Sequence, residues 1–204
     1  ISNQSPECLD EIFWIKNDPN YFIKPISSDF KYSESSLKAY GNFLNKHSAL
    51  SNSNKIIIKN NNNHIRLPNL AKFFKSDIFL VLFRDPLFQS ISLLNTHKRL
   101  CKLQQDDPFI LEYMNLIGHR EFGLNHKPYE YSDFSSVYSI SDKNYSIDSL
   151  NYWLKIWIRT YEWLLDFSKT QNYENIMFIS YEDICNQDSV VLKNILAKVD
   201  IKSI

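Results

Sequence analysis

The apolar positions along the chain change period several times, and each change predicts an element. "IFLVLF" (78 to 83) is a continuous apolar run, the pattern of a short strand buried on both faces, and we place a strand at 77 to 83. Two further runs read the same way: "KIIIK" at 55 to 59 and "NIMFISY" at 175 to 181. Between them the period is helical, with helices expected at 34 to 47, at 66 to 74, from Pro86 to about 103, and along "SLNYWLKIWIRTYEWLLDFSK" from 149 to 169. "DSVVLKNILAKV" closes the chain as a helix, and another is expected to start at Ser5 and Pro6. Asp85–Pro86 and Asp107–Pro108 are both start signals, a capping side chain followed by a residue that suits the first turn. Gly118 is a natural stop for the second of these helices. Residues 18 to 30 and 119 to 147 carry no sustained period and read as loops, while the "NNNN" run reads as low complexity.

Apolar strands alternating with helices predict an α/β chain, a parallel sheet flanked by helices. The 204 residues, 44% hydrophobic and 15% aromatic, suffice for one core, so a single domain over 1 to 204 is expected. Lys+Arg and Asp+Glu both number 23, which removes any global field toward nucleic acid or an anionic membrane and leaves an anion site to local chemistry. Cys8, Cys101 and Cys185 lie far apart without metal-ligand spacing, so reduced thiols and no metal are expected. No run approaches a membrane span and no leader pattern opens the chain, which predicts a soluble, cytoplasmic protein. Homo-oligomerisation stays open, because Trp153, Trp157 and Trp163 share a helical face that suits a core or a subunit interface.

Arg84 directly follows the strand at 77 to 83. In open parallel sheets ligands gather beyond the carboxyl ends of the strands, where the following helix also offers oriented N–H groups. A guanidinium there is a forked donor suited to a phosphate; the alternative is an ion pair with a nearby acid capping the sheet.

"KNNNNHIRLPNLAKFFKSDIFLVLFRDPLFQSIS", from Lys59, resembles the central block of the sulfotransferase family. The positions Asn63, Arg66, Leu67, Pro68, Phe74, Arg84, Asp85, Pro86 and Ser92 match without a gap, whereas Lys75 departs from the usual proline. "QDDPFILEYMNLIGHREFGLNHKPY", "YWLKIWIRTYEWLLDF" and "NIMFISYEDICNQDSVVLKNILAKVDI" resemble later segments of a bacterial-type branch. The resemblance implies a P-loop-NTPase-like sulfotransferase fold, with a nucleotide-binding core at about 55 to 200. It also implies 3′-phosphoadenosine 5′-phosphosulfate (PAPS) as co-substrate, and an acceptor hydroxyl on a carbohydrate or small molecule.

By the same resemblance Arg84 and Ser92 hold the 3′-phosphate and Tyr181 lies beside the adenosine. Without it, Ser92 reads as a structural helix serine and Tyr181 as a half-buried tyrosine bonded to the sheet margin. An ideal helix from Pro86 would carry Ser92 roughly 9 Å along its axis, so Ser90 is the fallback. Glu182 and Asp183 read as caps that orient the turn rather than as nucleotide contacts.

Sulfuryl transfer needs cationic stabilisation of the leaving phosphate and a base for the acceptor proton. Lys59 is the electrostatic candidate, with a solvated strand-end lysine as its alternative. His64, His97 and His119 are the candidate bases. The family's histidine two residues beyond the lysine is Asn61 here, so that assignment does not carry over. The expected first strand and phosphate loop are missing, and no late Gly-containing basic loop is present, from which a chain truncated at both ends is expected. The rival reading is a non-catalytic binding or scaffold module.

Overall fold

The structure, a computed structural model, describes residues 10–17, 31–50, 55–129, 131, 145–171, 173–186 and 190–199. Eight helices and two strands are formed among them: α1 (Asp10–Asn17), α2 (Glu34–Leu50), α3 (Asn63–Phe73), β1 (Phe79–Phe83), α4 (Pro86–Asp106), α5 (Pro108–Leu116), α6 (Leu150–Gln171), β2 (Ile176–Ser180), α7 (Tyr181–Cys185) and α8 (Val190–Lys198). The Ser5–Pro6 start and the loop expected over residues 18 to 30 lie outside the described residues.

The two strands run parallel in one sheet, in a register from Phe79 opposite Ile176 to Phe83 opposite Ser180. This corrects the expected fold class. Helix accounts for 66% of the described residues, and a two-stranded open sheet is not the larger parallel core of a P-loop-NTPase-like sulfotransferase fold.

The segment expected as a first strand, "KIIIK", is irregular from Lys55 to Asn60, with Ile56 and Ile57 exposed. β-branched residues favour a strand only where a neighbouring strand and a covered face complete it, and this stretch has neither among the described residues.

Local chemistry accounts for most element ends. The side chain of Asn60 accepts the Asn62 N–H at 2.8 Å, an Asx turn that starts α3 at Asn63, three residues ahead of the expected position. Asp85 caps α4 by accepting the Phe88 N–H at 2.9 Å. Helix α4 runs past 103 to Asp106, and α5 follows at once because Asp107 accepts the Phe109 N–H at 3.0 Å with Pro108 in the first turn. Gly118, at φ 78°, ends α5: its N–H reaches Asn115 O at 3.2 Å and His119 N–H reaches Met114 O at 2.9 Å.

By its internal packing the chain divides into two compact units, Ile1–Leu70 with Thr96–Ser135 and Ala71–Asn95 with Ser136–Ile204. In the first, Trp14, Leu37, Tyr40, Ile65, Leu67 and Leu70 are buried; the ring of Phe13 meets Trp14 edge to face and is tilted against Tyr40 and Phe43, and Trp14 is tilted against Tyr40. In the second, Ala71, Trp153, Trp163, Leu164, Ile179 and Ile195 are buried. Trp153 Nε1 donates to Ile147 O at 2.9 Å, so its one polar atom is satisfied.

Candidate functional site

Parallel pairing of β1 and β2 brings the carboxyl ends of both strands to one edge of the second unit. Arg84 leaves β1 there and Tyr181 leaves β2. The Arg84 guanidinium carbon stands 5.4 Å from the centroid of the Tyr181 ring, a cation–π arrangement. Arg84 and Glu182 are 43% and 50% exposed at their side chains, so this corner is open to solvent. Behind it, Tyr161 donates to the Leu82 carbonyl at 2.7 Å and Trp157 Nε1 donates to Gln89 Oε1 at 2.9 Å, which ties α6 to β1 and α4.

Strand β2 ends one residue earlier than expected. The side chain of Ser180 accepts the Asp183 N–H at 3.3 Å as an N-cap, and Tyr181 is the first residue of α7. The same hydroxyl donates to Glu182 Oε2 at 3.1 Å. Glu182 Oε1 accepts the Asp85 N–H at 3.3 Å and lies 3.6 Å from Arg84 Nε. That separation is an ion pair but not a hydrogen bond, and Arg84 Nε is enclosed without a hydrogen-bond partner among the described residues. The carboxyl of Glu182 is held below its ordinary range, first by its own backbone N–H; burial opposes this, and the Asp85 amide, the Ser180 hydroxyl and Arg84 together outweigh it. Cys185 acts in the other direction on Tyr181 and pushes its phenol above the usual value.

Arg84 and Tyr181 are thus brought together, and the acid-pair alternative for Arg84 is realised at the same time. Ser92 is exposed on α4, in the turn after the buried Ser90. The Ser90 hydroxyl donates to Pro86 O at 2.6 Å and is engaged by its own helix.

Lys59, His64 and His97 lie in the first unit. Lys59 is exposed in the irregular segment before α3. His64 Nδ1 donates to Asn61 O at 2.6 Å, which fixes the tautomer and makes Nε2 the acceptor of the Tyr131 hydroxyl at 2.9 Å. Burial pushes this imidazole down to about 4, aided by the Arg66 charge and opposed by the Asn61 carbonyl. His97 is buried on α4; its Nδ1 accepts the Gly123 N–H at 3.2 Å, which leaves the ring proton on Nε2, facing Cys101 Sγ at 3.5 Å. His119 Nδ1 lies 3.4 Å from Glu121 Oε2.

A buried polar network in the first unit has no signature in the local sequence pattern. Arg66, 1% exposed, donates to Glu11 through both terminal nitrogens and to the Tyr32 hydroxyl through Nε at 3.1 Å, and its guanidinium lies 5.0 Å from the Trp14 ring centroid. Asp10 accepts from Tyr40 at 2.9 Å, Asn60 at 2.9 Å and Asn63 at 3.2 Å, while Tyr129 donates to Asn62. The asparagine run that reads as low complexity therefore supplies buried hydrogen bonds.

No family model, no curated protein and no solved structure matches this chain. The label of a P-loop-like fold is corrected by the two-stranded sheet formed among the described residues, and comparison lends the labels sulfotransferase and PAPS no support. Among the described residues there is no group of three or more His, Cys, Asp or Glu side chains placed to hold a metal ion, and no helix is long and apolar enough to cross a membrane.

Proposed function

We propose that the end of β1 is an anion grip for a phosphorylated nucleotide, with the 3′-phosphate of PAPS on Arg84 and its base beside Tyr181. The protein then serves transfer of the sulfuryl group to an acceptor hydroxyl on a carbohydrate or small molecule. One observation carries the reading: Arg84 and Tyr181, which the motif resemblance assigns to the same nucleotide, stand side by side at an open strand end. The guanidinium is a permanent cation, and the aromatic face that orients it leaves its outer edge to a ligand. In the reaction the acceptor oxygen bonds to sulfur as the bond from sulfur to the 5′-phosphate oxygen breaks. Adenosine 3′,5′-bisphosphate leaves with the electron pair, and the acceptor proton passes to a base or to water.

A second reading, a nucleotide-binding module without turnover, is favoured by two of the three candidate bases, His64 and His97. His64 has both ring nitrogens in hydrogen bonds, and His97 accepts a backbone N–H on one nitrogen and carries its proton on the other. Neither offers a lone pair to an acceptor in this arrangement.

Calorimetry with adenosine 3′,5′-bisphosphate tests the grip. Binding by the wild-type chain and a loss of about 10- to 100-fold in Arg84→Ala are expected, the worth of a hydrogen bond to a charged group. Equal affinity of the two proteins, or none in either, overturns the reading. Release of adenosine 3′,5′-bisphosphate from PAPS in the presence of acceptor sugars then separates the enzyme from the module.

A further inference from the structure

Glu182 sits where the proposed ligand would. Its carboxylate is an anion already lodged against the donors a phosphate would use, the Arg84 guanidinium at 3.6 Å and the Asp85 N–H at the entrance to α4 at 3.3 Å. We infer that Glu182 is a built-in occupant of the Arg84 site, an internal carboxylate that an incoming oxyanion displaces. The inference rests on the reading of Arg84 as an anion ligand and adds to it an internal competitor for the same donors.

The geometry favours displacement over a permanent pair. Both contacts are long, the ion pair falls short of a hydrogen bond, and half of each side chain faces water, conditions under which such pairs contribute little. A phosphate carries more charge and more acceptor oxygens than a carboxylate, and it can reach the guanidinium in the bidentate manner that Glu182 does not achieve. The carboxylate also has a place to retreat to, because its second oxygen already accepts the Ser180 hydroxyl at 3.1 Å. Leaving Arg84 would swing Glu182 about its own backbone without disturbing the Ser180 cap on Asp183.

The opposing account makes Glu182 a positioning residue that aims Arg84, and the two differ in sign. Glu182→Gln keeps the length and an oxygen for the Asp85 N–H but removes the charge. Displacement predicts that Glu182→Gln binds adenosine 3′,5′-bisphosphate and inorganic phosphate about 2- to 5-fold more tightly than wild type, the range of a modest exposed ion pair. The gain should vanish in Arg84→Ala/Glu182→Gln, and Asp183→Asn, which removes the adjacent charge, should gain clearly less. Weaker or equal binding by Glu182→Gln, with wild-type binding still dependent on Arg84, overturns displacement and leaves the grip standing. An equal gain in Asp183→Asn also overturns it, because the effect is then a general loss of negative charge. Absence of any Arg84-dependent binding in wild type and in Glu182→Gln alike removes both the grip and the inference.

Discussion

Arg66 and Glu11, 55 positions apart in the chain, meet as a two-pronged ion pair in which Nη1 donates to Oε2 at 2.8 Å and Nη2 to Oε1 at 2.6 Å. The side chains are 1% and 7% exposed. Burial alone would discourage the charge on Arg66, and the Glu11 carboxylate more than reverses that, holding the guanidinium above its ordinary value. Removing one partner leaves the other buried and uncompensated, so Arg66→Ala is expected to lower stability by about 3–5 kcal/mol in urea denaturation. The paired replacement Glu11→Leu/Arg66→Met should recover part of that loss, because no buried charge is left uncompensated, while Tyr32, Asn60 and Asn63 each lose a hydrogen-bond partner. A loss below about 1 kcal/mol in the single variant would show that the pair is not buried in solution.

Gly123 has φ +87°, and a Cβ built there would stand 2.3 Å from Gln104 Oε1. The same Gln104 oxygen accepts the Leu124 N–H at 2.7 Å, and its amide nitrogen lies 3.1 Å from Met114 Sδ, so the side chain cannot retreat without losing contacts. Gly123→Ala therefore combines left-handed backbone strain of about 1–2 kcal/mol with a clash. In Gly123→Ala/Gln104→Ala the clash is absent and the strain remains. The double variant should fall short of the sum of the two singles by at least about 0.5 kcal/mol, and simple additivity would refute the contact.

These two sites show where the sequence stops being informative. Helices α2, α4, α5 and α6 and strands β1 and β2 were legible because period and capping residues are local: Asp85–Pro86, Asp107–Pro108 and Gly118 act within a few positions of themselves. The strand expected at 55 to 59 failed because its apolar run carries no record of whether a neighbour exists to complete it. Asp10 and Glu11 resemble ordinary acids in the first turn of a helix, and only folding brings Arg66, Tyr40 and the Asn60–Asn63 turn onto them. At the strand ends Arg84 and Tyr181 could be named from motif positions. The Glu182 contact with Asp85 spans 97 positions and has no local signature.

The imidazoles of His64 and His126 are expected to stay neutral well below the usual range. Burial pushes each from 6.5 to about 4; the Asn61 carbonyl opposes this at His64, and the Glu121 carbonyl opposes it at His126, where His97 adds to the depression. The unfolded chain then binds more protons than the folded one between about 6.5 and 4. The stability these groups contribute is fully present above 6.5 and is lost as pH falls through that window to 4. An NMR titration of the ring protons should show both neutral at pH 5.5, and urea midpoints should fall from pH 7 to pH 5. Titration of either ring near 6.5 would mean that its burial or its hydrogen bonds are not kept in solution.

Tyr181 is expected to matter through its ring and not its hydroxyl. Its π-face lies under the Arg84 guanidinium at 5.4 Å, and a cation over an exposed aromatic ring is worth about 0.5–1 kcal/mol, or roughly two- to fivefold in affinity. Tyr181→Phe preserves the face and removes the phenol, which Cys185 holds protonated beyond its normal range. Tyr181→Leu keeps an apolar side chain at the first position of α7 but has no face to offer. Nucleotide affinity should therefore be unchanged in the first variant and fall by that factor in the second, measured by calorimetry with adenosine 3′,5′-bisphosphate against the Arg84→Ala baseline. If Phe and Leu lose affinity equally, the hydroxyl is the contact, and the orientation of Arg84 must come from Glu182 alone.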